Sequence, residues 1–419
     1  MASFIIKGGL PLSGELRIHG AKNAALPILA ASILASGEQE ISDVPKLLDI
    51  RVMIEILNHL GVKVTHKDHT VSLQTSTLSS TRIPEPLMGK MRSSIFLMGP
   101  LLAKYGEVTI SRPGGCAIGE RPIDIHLDGL KKLGADIIES HGTISCRARQ
   151  LTGAQIFLRF PSVGATENLM MAASLAKGTT TISNAAREPE IVDLQDYLNV
   201  MGARVRGAGT DQIIIEGVEH LTPVSYKIIP DRIIAGTLLI ATAITRGEVA
   251  LTNVRAEHLQ ALLTNLQTSG IEIRTYNDIM TLKVSRGLRS IDLIETDPHP
   301  GFPTDLQALM MAYLSTVEGT SVVKEKVFEG RFRHVDELNR MGTNISTDLN
   351  RAYIRGVSRL SGAMVEATDL RAGAALVIAG LKAEGETIVE NIHHIDRGYE
   401  KLEGMLQALG ADIRRSDES

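Results

Sequence analysis

Tryptophan is absent from this 419-residue chain, and aromatic residues make up only 3% of it. Its core must therefore be built from Leu, Ile, Val, Ala and Met. There are two cysteines, Cys116 and Cys146. They lie in different settings and suggest no disulfide framework. Neither charge sign dominates: 44 basic residues against 48 acidic ones leave a net charge of −4. That lacks the basic excess of a general nucleic-acid binder, so no nucleic-acid partner is expected. No apolar run approaches the roughly 20 residues of a membrane span, and Met1-Ala2-Ser3-Phe4-Ile5-Ile6-Lys7-Gly8-Gly9 has no signal-type apolar region. A cytoplasmic location without membrane contact is the expectation. Several chemistries are missing too. There is no GxxxxGK[ST] phosphate loop, GxGxxG, HExxH, paired CxxC or GxSxG elbow. His299 and the pair His393-His394 have no partners at metal-ligand spacing.

What is present is a repeat. Apolar runs end at Gly37, Gly106, Gly178, Gly247, Gly319 and Gly385, spaced by roughly 70 residues. A second glycine follows each by about 25 residues, at Gly61, Gly134, Gly202, Gly270, Gly342 and Gly410. Units this large point to duplicated subdomains rather than a thin superhelix. The first run of each unit is apolar on most sides, over residues 24–34, 94–102, 169–176, 233–244, 306–314 and 372–381. Such a helix is buried on most sides. The second run is amphipathic, as in Asp124-Ile125-His126-Leu127-Asp128-Gly129-Leu130-Lys131-Lys132-Leu133. Short β-like stretches such as 107–111, 212–216 and 363–367 complete each unit. The pattern predicts helices inside and sheets outside, three units per domain.

A chain of this length exceeds what one hydrophobic core usually serves. The segment Ile6 to Ile18 resembles Ile354 to Val365, which follows a second glycine, whereas the sixth unit ends soon after Gly410. The N-terminal residues thus read as the missing piece of the sixth unit. One domain is expected over residues 22–229, the other over 1–21 and 230–419. Two chain crossings, near residues 21 and 230, suit an enzyme that closes on its substrate.

The lead-ins to the inner helices carry Lys22-Asn23, Lys90 with Arg92, Thr166, Asp231-Arg232, Thr304-Asp305, and Asp369 with Arg371. A cation at a helix start is mildly unfavourable unless an anion is present, and helix N-termini are ready-made phosphate sites. One reading is a strongly anionic ligand in a cleft between the domains. The other is that Lys22, Arg92 and Arg371 merely pair with Asp or Glu at domain contacts. Asp305 and Asp369 likewise have a plain alternative as helix N-caps, with Thr304 an equal candidate for its helix.

The second unit is about four residues longer than the others, and the extra length falls in Arg112-Pro113-Gly114-Gly115-Cys116-Ala117-Ile118-Gly119-Glu120-Arg121. Flanking arginines lower a thiol pKa, and paired glycines leave it accessible. In isolation a Cys in a Gly-rich loop is often unremarkable; its place in the one lengthened loop of six singles Cys116 out. Cys146, in Thr143-Ile144-Ser145-Cys146-Arg147, reads as a structural strand residue.

Several stretches resemble the motifs of the UDP-N-acetylglucosamine 1-carboxyvinyltransferase family of enolpyruvyl transferases. They are Gly20-Ala21-Lys22-Asn23-Ala24-Ala25, Pro113-Gly114-Gly115-Cys116, Gly119 with Arg121-Pro122, and Ser162-Val163-Gly164-Ala165-Thr166. Phe302-Pro303-Thr304-Asp305, Asp369-Leu370-Arg371 and His394-Ile395-Asp396-Arg397-Gly398-Tyr399-Glu400 extend the likeness through all six units. The resemblance implies a two-domain inside-out α/β barrel of six repeated βαβαββ-like units. It implies transfer of the enolpyruvyl group of phosphoenolpyruvate to the 3-hydroxyl of UDP-N-acetylglucosamine, the first committed step of peptidoglycan synthesis. Addition and elimination through a tetrahedral ketal need no metal and no cofactor.

Carried over by motif, Lys22, Arg121 and Arg397 hold the phosphate and carboxylate of phosphoenolpyruvate, with Arg92 in the same basic site. Asn23 and Asp305 contact the sugar, Asp305 as base for its hydroxyl. Arg121, Pro122, Ile123, Asp124 and Ile125, with Ser162, Val163, Gly164 and Val327, line the nucleotide-sugar site. Cys116 is the general acid at the methylene carbon, with a covalent adduct or help in product release as further roles; some relatives carry Asp there. Arg331, Asp369 and Arg371 belong to the closing side. Phe160 and Leu48 stand where some members carry lysine.

Overall fold

Inner helices that are apolar all round need partners on every side, and the sequence supplies three per unit. In the computed structural model, which describes residues 2–76, 78–111, 123–285 and 287–417, the chain forms two compact units. Taking the described residues, one covers residues 20–229 and the other residues 2–19 and 230–417. Each has its own hydrophobic core.

In the second unit the helices Arg232–Thr245, Gln307–Leu314 and Leu370–Lys382 pack against one another. Every residue of Gln307–Leu314 is buried. In the first, the helix Met98–Tyr105 packs on Val163–Ala173, which also touches Lys22–Ala31. The sheets lie around these bundles. In the third repeat, Thr179–Ser183 pairs antiparallel with Gln212–Glu216, and that strand with Arg204–Arg206. The same hairpin-and-edge pattern recurs in the others.

The connections close each unit into a ring. Each sheet accepts a parallel segment from the preceding repeat: Gln155–Phe157 beside Thr179–Ser183, Leu293–Glu295 beside Thr320–Lys324, and Met364–Glu366 beside Glu386–Glu390. An isolated parallel bridge, Arg82 to Thr109, does the same for the second repeat. The last repeat of each unit then returns to the first. Ser225–Lys227 pairs with Gly37–Ser42, Tyr226 opposite Ile41. Ser13–Arg17 pairs with Glu248–Thr252, Leu16 opposite Leu251. The N-terminal segment is thereby divided. Ala2–Lys7 completes the sixth repeat between Glu386–Glu390 and Asp412–Asp417, while the next strand crosses to the fourth.

The repeated glycines have two physical causes. Gly61 ends the helix Leu48–Leu60 in the left-handed region, at φ 105°, where a Cβ is costly. Its five counterparts also have positive φ. Gly247 is needed for space: a Cβ there would lie 2.0 Å from the Leu12 carbonyl oxygen. Three of the seven tyrosines, Tyr197, Tyr313 and Tyr399, are buried deep in the cores with hydroxyls bonded. Tyr197 donates to Gln39 at 2.8 Å, and the Tyr313 hydroxyl lies 2.6 Å from that of Ser269. Among the described residues, no helix is long and apolar enough to cross a membrane.

Candidate functional site

In the first unit, Lys22 opens the helix Lys22–Ala31, whose N-cap, Ala21, offers no side-chain bond. The positive end of the helix dipole and the lysine thus carry charge of the same sign. Lys22 is held by Asp49 in the first turn of Leu48–Leu60, at 3.2 Å, with side chains 12% and 4% exposed. Asn23 follows on the same turn, partly buried. Arg92 opens the short helix Arg92–Leu97, again without a side-chain cap; its side chain lies outside the described residues.

A second grouping forms where the helices Asp124–Lys132 and Val163–Ala173 meet. Asp124 accepts from the Ile125 amide at 3.0 Å and pairs with Arg159. Ile123 and Ile125 are buried beneath it. Ser162 caps the second helix by accepting from the Ala165 amide at 3.4 Å. Val163 is its first residue. Gly164 is the contact point: a Cβ there would meet the Phe96 ring at 3.1 Å and the His126 ring at 3.3 Å. Leu48 and Phe160, where some resembled enzymes carry lysine, are both largely exposed. The lengthened loop with Cys116, Arg121 and Pro122 lies outside the described residues. Cys146 is buried in its strand, its thiol pushed up to about 11, first by burial.

The same unit buries an acid that the sequence did not single out. Glu167 is 1% exposed and has no hydrogen-bond partner for either carboxylate oxygen. Burial, and then the charges of Glu190 and Glu188, hold its pKa well above the usual carboxylate range.

In the second unit Asp305 lies inside the turn Thr304–Leu306 and does not cap it. Its two oxygens accept instead from Arg331 Nη2 at 2.7 Å and Arg371 Nη2 at 3.1 Å. Nor does Thr304 cap: its hydroxyl donates to Glu325 at 3.0 Å. The capping alternative thus fails at both positions: cationic donors outcompete a local amide for Asp305, and the Thr304 hydroxyl is turned to the Glu325 carboxylate. Glu325 also accepts from the Val327 amide at 2.8 Å, which ties Val327 to the Asp305 turn. Asp369 does cap its helix, accepting from the Arg371 and Ala372 amides at 2.9 and 3.1 Å. It also faces Arg331 at 3.9 Å.

Both guanidiniums are nearly sealed, their side chains 5% and 6% exposed. Arg331 stacks over Phe328 and Arg371 over Tyr399, at 5.2 and 5.3 Å. The Tyr399 hydroxyl lies 2.9 Å from Thr237. Burial works against the charge of Arg371, but Asp305 and further neighbours outweigh it and raise its pKa. His334, buried beside this network, is lowered to about 4, mainly by burial. Arg397 closes the short helix Ile392–Arg397. His394, lowered by burial, His393 and Arg397, also feels Asp369.

Asp305, Arg331, Asp369 and Arg371 thus form one ion network. Lys22 and Arg371 are each paired with an aspartate of their own unit. Sequence reasoning missed Asp49, Thr237, Glu325, His334 and Glu167. Only Tyr399 had a signal, its place in the motif beside Arg397.

A family model for EPSP synthase (3-phosphoshikimate 1-carboxyvinyltransferase) matches residues 6–406. A protein named UDP-N-acetylglucosamine 1-carboxyvinyltransferase 2 from Caldanaerobacter subterraneus subsp. tengcongensis is 52% identical over 415 residues, covering 99% of this chain and all of its own. One of the same name from Carboxydothermus hydrogenoformans is 54% identical over 417 residues, covering 99% of each chain. Among solved structures, the enolpyruvyl transferase NikO from Streptomyces tendae superposes with a TM-score of 0.90 at 26% identity over 99% of both chains. EPSP synthase from Acinetobacter baumannii, at 18% identity and TM-score 0.78 over 99% of this chain and 100% of its own, shares the fold.

Proposed function

This chain belongs to the EPSP synthase family of carboxyvinyltransferases, and on that premise we propose that it transfers the enolpyruvyl group of phosphoenolpyruvate to the 3-hydroxyl of UDP-N-acetylglucosamine, releasing phosphate. This is the step that opens peptidoglycan synthesis. Relatives of that name, about half identical over nearly the full length, support this acceptor over shikimate 3-phosphate. Both substrates are soluble phosphorylated molecules, which fits a cytoplasmic enzyme.

The observation that carries the chemistry is Asp305. Its carboxylate is fixed at both oxygens by the buried guanidiniums of Arg331 and Arg371, charge-assisted bonds that set its position and orientation as a proton acceptor. In this reading Asp305 takes the proton of the sugar 3-hydroxyl as that oxygen attacks C2 of the donor. Cys116 gives a proton to the methylene carbon, and a covalent adduct through its sulfur is a side branch of the same chemistry. The tetrahedral ketal then loses phosphate and a methyl proton to restore the double bond. Lys22, Arg92, Arg121 and Arg397 neutralise the donor's phosphate and carboxylate, with charge-assisted bonds that a preorganised site makes strong. Asn23 orients the sugar. Ile123, Asp124, Ile125, Ser162, Val163 and Gly164 with Pro122 and Val327 receive the nucleotide part, and Asp369 with Arg331 and Arg371 holds the base in place.

Phosphate release measured with both substrates, then with the sugar nucleotide omitted or replaced by shikimate 3-phosphate, tests this. Release is expected only with UDP-N-acetylglucosamine. Equal release with shikimate 3-phosphate would transfer the chain to the other acceptor class. Tight sugar-nucleotide binding without any release would make it a scaffold. Cys116→Ala should abolish turnover and covalent labelling by the epoxide fosfomycin. Cys116→Asp should keep activity and escape the label; labelling of either variant overturns the thiol assignment.

A further inference from the structure

Arg415 lies in the C-terminal strand Asp412–Asp417, opposite Phe4 of the neighbouring strand. Its guanidinium grips two carboxylates of another segment. Nη1 and Nη2 donate to the two oxygens of Asp396 at 3.0 and 2.7 Å, a bidentate fork. Nε donates to Glu403 at 2.7 Å, and Nη2 reaches the other Glu403 oxygen at 3.4 Å. The far face of the guanidinium covers the Phe4 ring at 4.9 Å.

Asp396 immediately precedes Arg397, and Glu403 lies in the first turn of the helix Leu402–Ala408. The segment between is bounded by two non-glycine residues in left-handed backbone, Asn391 at φ 58° and Lys401 at φ 50°. Such backbone is unfavourable for a residue like lysine and persists where surrounding contacts over-determine it. Here the contacts are visible on both sides. Ile392, Ile395 and Tyr399 are buried in the core, and the opposite side is held by Arg415.

We propose that Arg415 is a positioning residue that acts through Asp396 to aim the Arg397 guanidinium at the anionic donor. This rests on the reading above, in which Arg397 binds phosphoenolpyruvate. A planar fork on both carboxylate oxygens fixes position and direction at once, which a lysine cannot do. It also occupies the Asp396 carboxylate, which would otherwise be free to swing to the adjacent arginine.

Steady-state kinetics with each substrate varied, alongside thermal unfolding, test the proposal on Arg415→Gln, Arg415→Lys and Arg397→Gln. Arg415→Gln should raise KM for phosphoenolpyruvate roughly tenfold, the scale on which a misplaced ligand-holding group is felt. The KM for UDP-N-acetylglucosamine should stay unchanged. Arg415→Lys should recover little of the loss. In an Arg397→Gln background, Arg415→Gln should add no further donor effect. If Arg415→Gln only lowers Tm, or raises both KM values alike, the role is merely structural and the proposal fails. Should that variant not fold, Asp396→Asn carries the same test with the same donor-only expectation. If Arg397→Gln itself leaves the donor KM unchanged, the reading of Arg397 fails first, and the inference with it.

Discussion

The two units are built on one plan but spend their helix starts differently. In the first, Lys22 and Arg92 are the first residues of helices whose N-caps make no side-chain bond, while Ser162 caps Val163–Ala173. In the second, Asp231 and Asp369 cap the helices Arg232–Thr245 and Leu370–Lys382, each accepting two amides. The second unit thus fills two of its three inner-helix starts with a capping aspartate, and at the third Asp305 is clamped by Arg331 and Arg371 instead of capping. Their buried titratable groups differ in the same sense. The first hides an acid, Glu167, that burial favours neutral; the second hides a base, His334, that burial also favours neutral. On the proposed reading the roles are divided residue by residue, with Lys22 of the first unit and Arg397 of the second on the donor's anionic groups, and Cys116 and Asp305 on proton transfer.

The sharpest way to break this comparison is Asp305→Asn. Loss of the base should lower kcat about 10²- to 10⁴-fold with the donor KM little changed; a large donor KM effect with normal kcat would remove Asp305 from proton transfer. Lys22→Gln should act on the other side. It should reduce kcat/KM for phosphoenolpyruvate roughly 10- to 100-fold, the worth of a charge-assisted bond, and spare sugar-nucleotide binding. Binding of the sugar nucleotide weakened as much as that of the donor would contradict the division.

Acidity separates the units by sign. His334 has a folded value of about 4 against an ordinary 6.5, so the unfolded chain takes up its proton first. Its contribution is present above pH 6.5 and is lost as pH falls towards 4, about 2 kcal/mol between pH 7 and pH 5. Unfolding followed across that range should show this loss, and His334→Gln should flatten it. Glu167 runs the other way. Its raised value means its contribution is present below the ordinary carboxylate pKa and is lost as pH rises. Glu167→Gln should therefore raise Tm at pH 8 and leave it nearly unchanged at pH 4. A variant less stable at pH 8 would mean that the charged carboxylate has a partner worth keeping.

Much of the architecture was legible because it depends on local periodicity. Apolar runs such as 372–381 read as buried helices, and the repeated glycines marked turns that left-handed backbone requires. The helix boundaries shifted outward to the charged lead-ins, Lys22 and Arg232 becoming first helical residues. Asp369 was legible as a cap for the same local reason. Asp305 was not: a sequence pattern sees the amides one turn away but not Arg331, beyond the next strand of the same repeat, or Arg371, which approaches from the sixth repeat.

What the sequence determined alone was therefore the repeat, the layering of inner and outer helices, and an inventory of charges at helix starts, since each follows from residues within a few turns of one another. The tertiary structure alone decided where those charges go. It sent Ser13–Arg17 to the fourth sheet and Ala2–Lys7 to the sixth, turned Asp305 from its own helix to two arginines, and set Arg415 on Asp396. In each case the winning contact joins different secondary-structure elements, 19 residues apart for Arg415 and Asp396 and 66 for Arg371 and Asp305, and its energy exists only once tertiary packing has brought them together.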